Sequence, residues 1–153
     1  MIRRTLVATL ATLVLLGALA VAPVSAARPV WVFSTTLTGE AERPNPGDPD
    51  AVGHATILIW PDTDTVCWAV SWARVDTGEG FVTASHIHGP ATTEEAAGVL
   101  VPLFVGASFA GQGSNQGCIV DSDADAIAAN PSMYYVNVHS SVFPPGAVRG
   151  QLD

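Results

Sequence analysis

Residues 66–72 read Val-Cys-Trp-Ala-Val-Ser-Trp, with Val66, Trp68, Val70 and Trp72 at one parity and Cys67, Ala69 and Ser71 at the other. Successive side chains of a strand point to opposite faces, so this alternation predicts a strand with bulk on one side and small residues on the other. The full run is TVCWAVSWARV (65–75). Five further stretches, WVFSTTLTG (31–39), HATILIW (54–60), GFVTASHIH (80–88), GVLVPLF (98–104) and MYYVNVHS (133–140), are rich in branched and aromatic residues. Clusters of Gly, Pro and Asp separate them, with WPDTDT as a typical turn. Strands spaced this way predict an all-β, single-domain antiparallel Greek-key β-sandwich.

One short helix interrupts the pattern. Ser122, with Asp125 three residues on, resembles a capping box; ADAIAAN follows and Pro131 stops it. Asp121, Asp123 and Asp125 would also suit a calcium ion, but favourable charge at a helix N-terminus accounts for them more simply. The segment EAERPNPGDPDAVG (40–53) predicts a long loop that is ordered only if something packs on it.

The beginning of the chain obeys different rules. Arg3 and Arg4 precede an apolar run from Leu6 to about Ala22, and Val24-Ser25-Ala26 supplies small residues suited to signal peptidase. Residues 1–26 are therefore expected to be a signal peptide, with an uncleaved anchor as the alternative. Secretion to the extracellular space follows, with no membrane insertion after cleavage. Without the leader, four Arg stand against fourteen Asp and Glu, a balance of 4 − 14 = −10. Such a chain is repelled by phosphate backbones and anionic headgroups, which argues against nucleic acid as a partner. Cys67 and Cys118, the only cysteines, are expected to form a disulfide in an exported protein.

The polar landmarks run LTGEAERP at 37, GHATI at 53, CWAVSW at 67, ASHIHGPA at 84, NPSMYYVNVHS at 130 and GAVRGQL at 146. Together they closely resemble the CHRD domain, the module named after chordin, over residues 31–152. HIHGPA, YVNVH and RGQL are the most specific parts. The resemblance implies an extracellular β domain. It departs from the usual family pattern in reading EAERP after LTG and in placing His54 where a small hydroxyl residue is common.

His86 and His88 are two residues apart, so in a strand their imidazoles share a face. In YYVNVH the residues Tyr135, Asn137 and His139 share the opposite parity from Tyr134, Val136 and Val138. If this strand pairs beside ASHIH, three histidines meet on one side of a sheet. Three imidazoles suit copper or zinc, and Asn137 could orient one ring. The order of His-x-His, Val-His and a late Arg is similar to the copper ligands and anion-guiding arginine of Cu/Zn superoxide dismutases. On that likeness His86, His88 and His139 would be ligands and Arg149 would face the open position. No His follows between 89 and 125 to supply the bridging ligand of that family, leaving His54 as the one other imidazole. The competing reading is a polar network of the histidines, Ser85, Asn137 and Arg149 that fixes loops without a ligand.

The leading functional expectation is a non-enzymatic extracellular or cell-surface binding module, with His86, His88, Asn137, His139 and Arg149 as its binding residues. Its partner would be an unidentified extracellular protein or surface ligand. The alternative is a copper- or zinc-binding protein with a superoxide-dismutase-like histidine site. Ser108, in GASFAG, lacks the spacing of a nucleophile elbow.

Overall fold

The computed structural model describes residues 29–78, 80–106 and 108–153. The leader expected over residues 1–26 lies outside the described residues. Eight antiparallel strands form one sheet: β1 (Trp31–Thr38), β2 (Val52–Trp60), β3 (Thr65–Ala73), β4 (Val82–His88), β5 (Val99–Phe104), β6 (Gly113–Val120), β7 (Tyr135–Ser140) and β8 (Val148–Gln151). Their order is β5-β4-β7-β8-β1-β2-β3-β6, and the sheet folds until its two edge strands approach each other. Around this nearly closed ring β3, β6, β5 and β4 follow in Greek-key order. The expected all-β Greek-key fold is thus what the chain adopts.

Closure places one face of every strand inside. Leu37, Ile57, Ile59, Val66, Val70, Ile87, Val101, Val136, Val138 and Val148 are essentially inaccessible there. Burying each such side chain contributes about 1.5–3 kcal/mol relative to leaving it exposed. The parity expected for β3 holds, with Val66, Trp68, Val70 and Trp72 inward. The strand ends at Ala73 rather than at Val75, because Arg74 takes a left-handed backbone conformation, φ 61°.

Two strands have no counterpart among the six expected. Strand β6, GSNQGCIV, carries little branched or aromatic signal because two of its inward positions, Gly113 and Gly117, must be glycine. Trp68 lies opposite Gly117 and Trp72 opposite Gly113. A Cβ on Gly117 would overlap the Trp68 ring, and one on Gly113 would sit 3.1 Å from the Trp72 ring. The indole N–H groups of Trp68 and Trp72 donate to Asn115 Oδ1 and the Ala110 carbonyl, each at 2.9 Å. Strand β8 is the VRGQ of the last landmark, too short to register as a strand by alternation.

Outside the ring, Cys67 and Cys118 are direct cross-strand neighbours and are disulfide-bonded, as expected. The helix α1 (Ala124–Ala129) buries Ala124, Ile127 and Ala128. Its start corrects the capping-box expectation: Asp123, not Ser122, is the N-cap residue, and no side chain caps the helix. The Asp123 N–H instead donates to Asp121 Oδ1 at 3.0 Å, a local turn that competes with capping. The acidic loop after β1 is ordered by packing against the chain's end. The Gly47 N–H donates to the Gly39 carbonyl at 2.8 Å and the Asp48 N–H to the Ala147 carbonyl at 2.9 Å.

Candidate metal centre

Strands β4, β7 and β8 lie side by side, and their outward positions are polar. Register builds two rows across them: His86, Asn137 and Arg149 in one, His88, Tyr135 and Gln151 in the next. His139 follows Asn137 on β7, at the same parity. The pairing anticipated between HIH and YVNVH is therefore the one formed.

A segment without regular structure, residues 89–98, crosses this polar face. A backbone lying on a sheet needs partners for its carbonyls, and here outward side chains supply them. Arg149 donates to the Glu95 and Thr92 carbonyls at 2.7 and 2.8 Å and to Gln151 Oε1 at 3.0 Å. Gln151 Nε2 donates to the Ala91 carbonyl at 2.8 Å. The guanidinium carbon of Arg149 lies 3.4 Å above the Tyr135 ring, and on the β4 side the His88 ring stacks parallel to the same phenol, centroids 4.9 Å apart. Arg149 is 1 % exposed. Its guanidinium serves the covering segment and does not face an open position as the superoxide-dismutase likeness implies.

The histidines sit beside this clamp. One ligand nitrogen from each of His86, His88 and His139 lies within 4.8 Å of the others. A triangle of that size has a point within roughly 3 Å of all three corners, so closing to the 2.0–2.1 Å of a metal–imidazole bond asks for small side-chain movements. His86 Nδ1 and His139 Nε2 are already 2.9 Å apart, about the separation of two nitrogens at right angles on one ion. His54 is exposed on β2 and is not one of the converging ligands.

Proton placement follows from the backbone. A carbonyl only accepts, so Nδ1 of His139 donates to the Pro144 carbonyl at 2.9 Å and its Nε2 is bare when the ring is neutral. That bare nitrogen accepts from His86 Nδ1. Likewise His88 Nδ1 donates to the Ala97 carbonyl at 3.0 Å, and its Nε2 lies 2.9 Å from Asn137 Oδ1. Two of the three rings thus hold a backbone carbonyl through Nδ1, the arrangement that orients metal-bound imidazoles, while their Nε2 atoms meet His86 Nδ1 and Asn137 Oδ1. Burial, with the neighbouring rings His139 and His88, pushes the His86 imidazole down to about 4. Burial also lowers His88 and His139. The rings are neutral near pH 7, the form that binds metal.

Two participants escaped sequence reasoning. Tyr135 was on the right face by parity, but nothing marked it as the platform between His88 and Arg149. Glu42, 3 % exposed, comes from the β1–β2 loop, and no periodicity assigns a loop residue to a neighbour.

These features define a class: a disulfide-bridged Greek-key β domain with a histidine cluster beside a clamped covering segment. The family model of the CHRD domain matches residues 33–152, and the chain belongs to that family. No curated protein and no solved structure matches it.

Proposed function

We propose that this CHRD domain is a binding module for a divalent transition metal, copper or zinc, held by His86, His88 and His139. The observation that carries the reading is the convergence of three neutral imidazoles within 4.8 Å, two of them anchored through Nδ1 to backbone carbonyls. Nitrogen donors suit both metals, and the three ligands leave a position for water or an extracellular ligand. The Pro144 and Ala97 carbonyls orient the His139 and His88 rings, while Arg149 fixes the segment that bears Ala97. The leader-like residues 1–26 and the disulfide support an exported, extracellular setting, and the role proposed is binding without catalysis.

The test is elemental analysis of leaderless, oxidised protein loaded with copper or zinc and then desalted. One equivalent of metal in the wild type and its loss in His88→Ala is the expected result. Wild-type protein that retains no stoichiometric metal overturns the reading.

A further inference from the structure

Glu42 has the one buried side-chain polar atom without a hydrogen-bond partner among the described residues, its Oε1. Gly146, with φ at +155°, closes over it so tightly that a Cβ would collide with the carboxyl group. From β8, Arg149 acts on Glu42 through its charge, and from β7 the Asn137 side chain hydrogen-bonds the carboxyl. The next residue, Arg43, turns its guanidinium to the Glu40 and Glu42 carbonyls and the Glu94 carboxylate. The loop 141–147 on the other side carries no ionisable side chain. Burial outweighs Arg149 and the hydrogen bonds, pushing the Glu42 acid up to about 7.

Asn137 connects this carboxyl to the histidines. Its amide reaches Glu42 at one end and His88 Nε2 at the other. With Glu42 protonated, the acid O–H can donate to the amide oxygen and the amide N–H to the bare Nε2 of His88, so each link of the relay pairs a donor with an acceptor. With Glu42 ionised, the amide turns its N–H to the carboxylate, and its oxygen then meets the Nε2 lone pair. Two acceptors in contact are unfavourable in a buried site. A cation at Nε2 relieves the conflict, and the buried negative charge of Glu42 offsets part of the cation's charge.

We infer that Glu42, acting through the Asn137 amide, is the proton-release group of the histidine site. Uptake of a divalent ion converts the Glu42 carboxylic acid to carboxylate and discharges one proton to solvent. The three imidazoles are already neutral and require only a tautomer shift at His86. Glu42 is a positioning and charge-balancing residue, not a ligand. The inference rests on the metal-binding reading above.

The experiment is calorimetric titration of zinc into the leaderless, oxidised protein, in buffers of different ionisation enthalpy, so that released protons are counted. An acid with a pKa of about 7 releases about half a proton per zinc at pH 7 and about a tenth at pH 8. Glu42→Gln, which keeps the shape of the protonated side chain, is expected to bind zinc and release essentially none. A zinc-bound water can also lose a proton near neutrality, and that source would persist in Glu42→Gln. Infrared spectroscopy of the metal-free wild type gives a second readout: a protonated-carboxyl band at pH 6 that zinc discharges. The band and the wild-type proton count decide the matter even if Glu42→Gln fails to fold. Zinc binding without proton release, or equal release in Glu42→Gln, overturns the inference and leaves the metal-binding reading standing. Failure of the wild type to bind zinc overturns both.

Discussion

The two flanks of the sheet solve opposite problems with the same backbone. On the β3–β6 flank, two tryptophans fill the interior against two glycines, and a disulfide ties the strands outside. On the β4–β7–β8 flank the interior is mostly Val and Ile, with Ser85 and Ser140 among them, while the outer face gathers His86, His88, Asn137, His139, Arg149 and Tyr135 beneath an irregular segment. The first flank is stabilised by shape and chain connectivity, both insensitive to pH. The second is held by hydrogen bonds whose partners are unsatisfied once any member is removed, so its order is conditional. Stability and candidate chemistry are therefore separable here, and substitutions should divide accordingly.

The largest expected effect lies on the first flank. Cys67 and Cys118 are 51 residues apart, and cross-linking a loop of that length stabilises by about 4 kcal/mol in the chain-entropy view. The double substitution to Ala should lose roughly that much in denaturant unfolding and still bind metal. Loss of metal binding by a folded double variant would erase the separation of the two flanks.

Next is Arg149→Met. It leaves the Thr92 and Glu95 carbonyls without their donor and removes the cation from the Tyr135 ring, a loss of about 3 kcal/mol. Hydrogen exchange should quicken across residues 91–97 before it does in β3 or β6; uniform quickening would contradict a local clamp.

A smaller effect, on metal affinity, is expected from Asn137→Ala. Asn137 links His88 Nε2 to the Glu42 carboxyl, and losing such an outer partner of a site typically weakens binding 10–100-fold, measurable by competition with a chelator. Trp68→Phe, on the other flank, deletes the indole donor to Asn115 and should cost about 1 kcal/mol with metal affinity unchanged.

The subtlest contrast is in pH. His86 has a folded-state value of about 4 against an ordinary 6.5, so below 6.5 the unfolded chain binds more protons than the folded one. Stability conferred by burying the neutral ring is complete above 6.5 and is lost as pH falls toward 4. Glu42 has the opposite sign: its acid is favoured in the fold, so its contribution is present below about 4.5 and lost as pH rises through 7. Chemical denaturation of His86→Gln should show a shallower acid-side slope than the wild type. An unchanged slope would mean that the ring's burial does not govern that limb.

Much of this organisation was written in alternation. Parity in β3 and β7 gave the inward and outward faces, and the two-residue spacing of His86 and His88 gave their common side. Strand β6 was illegible because its inward glycines exist to receive tryptophans from another strand, a tertiary requirement with no local signal. The start of α1 departs from the Ser122 capping box because Asp121 offers the chain a turn in competition with it. Within the site, the three histidines and Asn137 could be read from one-dimensional spacing, whereas Glu42 and the covering segment could not. Both belong to loops, and what a loop covers is decided by the strands it joins.

Only four described residues follow Arg149, yet it anchors a segment that precedes it by more than fifty positions. A polypeptide emerging from its N-terminus can assemble β1 to β3 early, but the ceiling over the imidazoles must wait for the last strand. Vectorial order thus makes the histidine pocket the final part of the domain to mature, and a ribosome that stops short of residue 149 leaves it open.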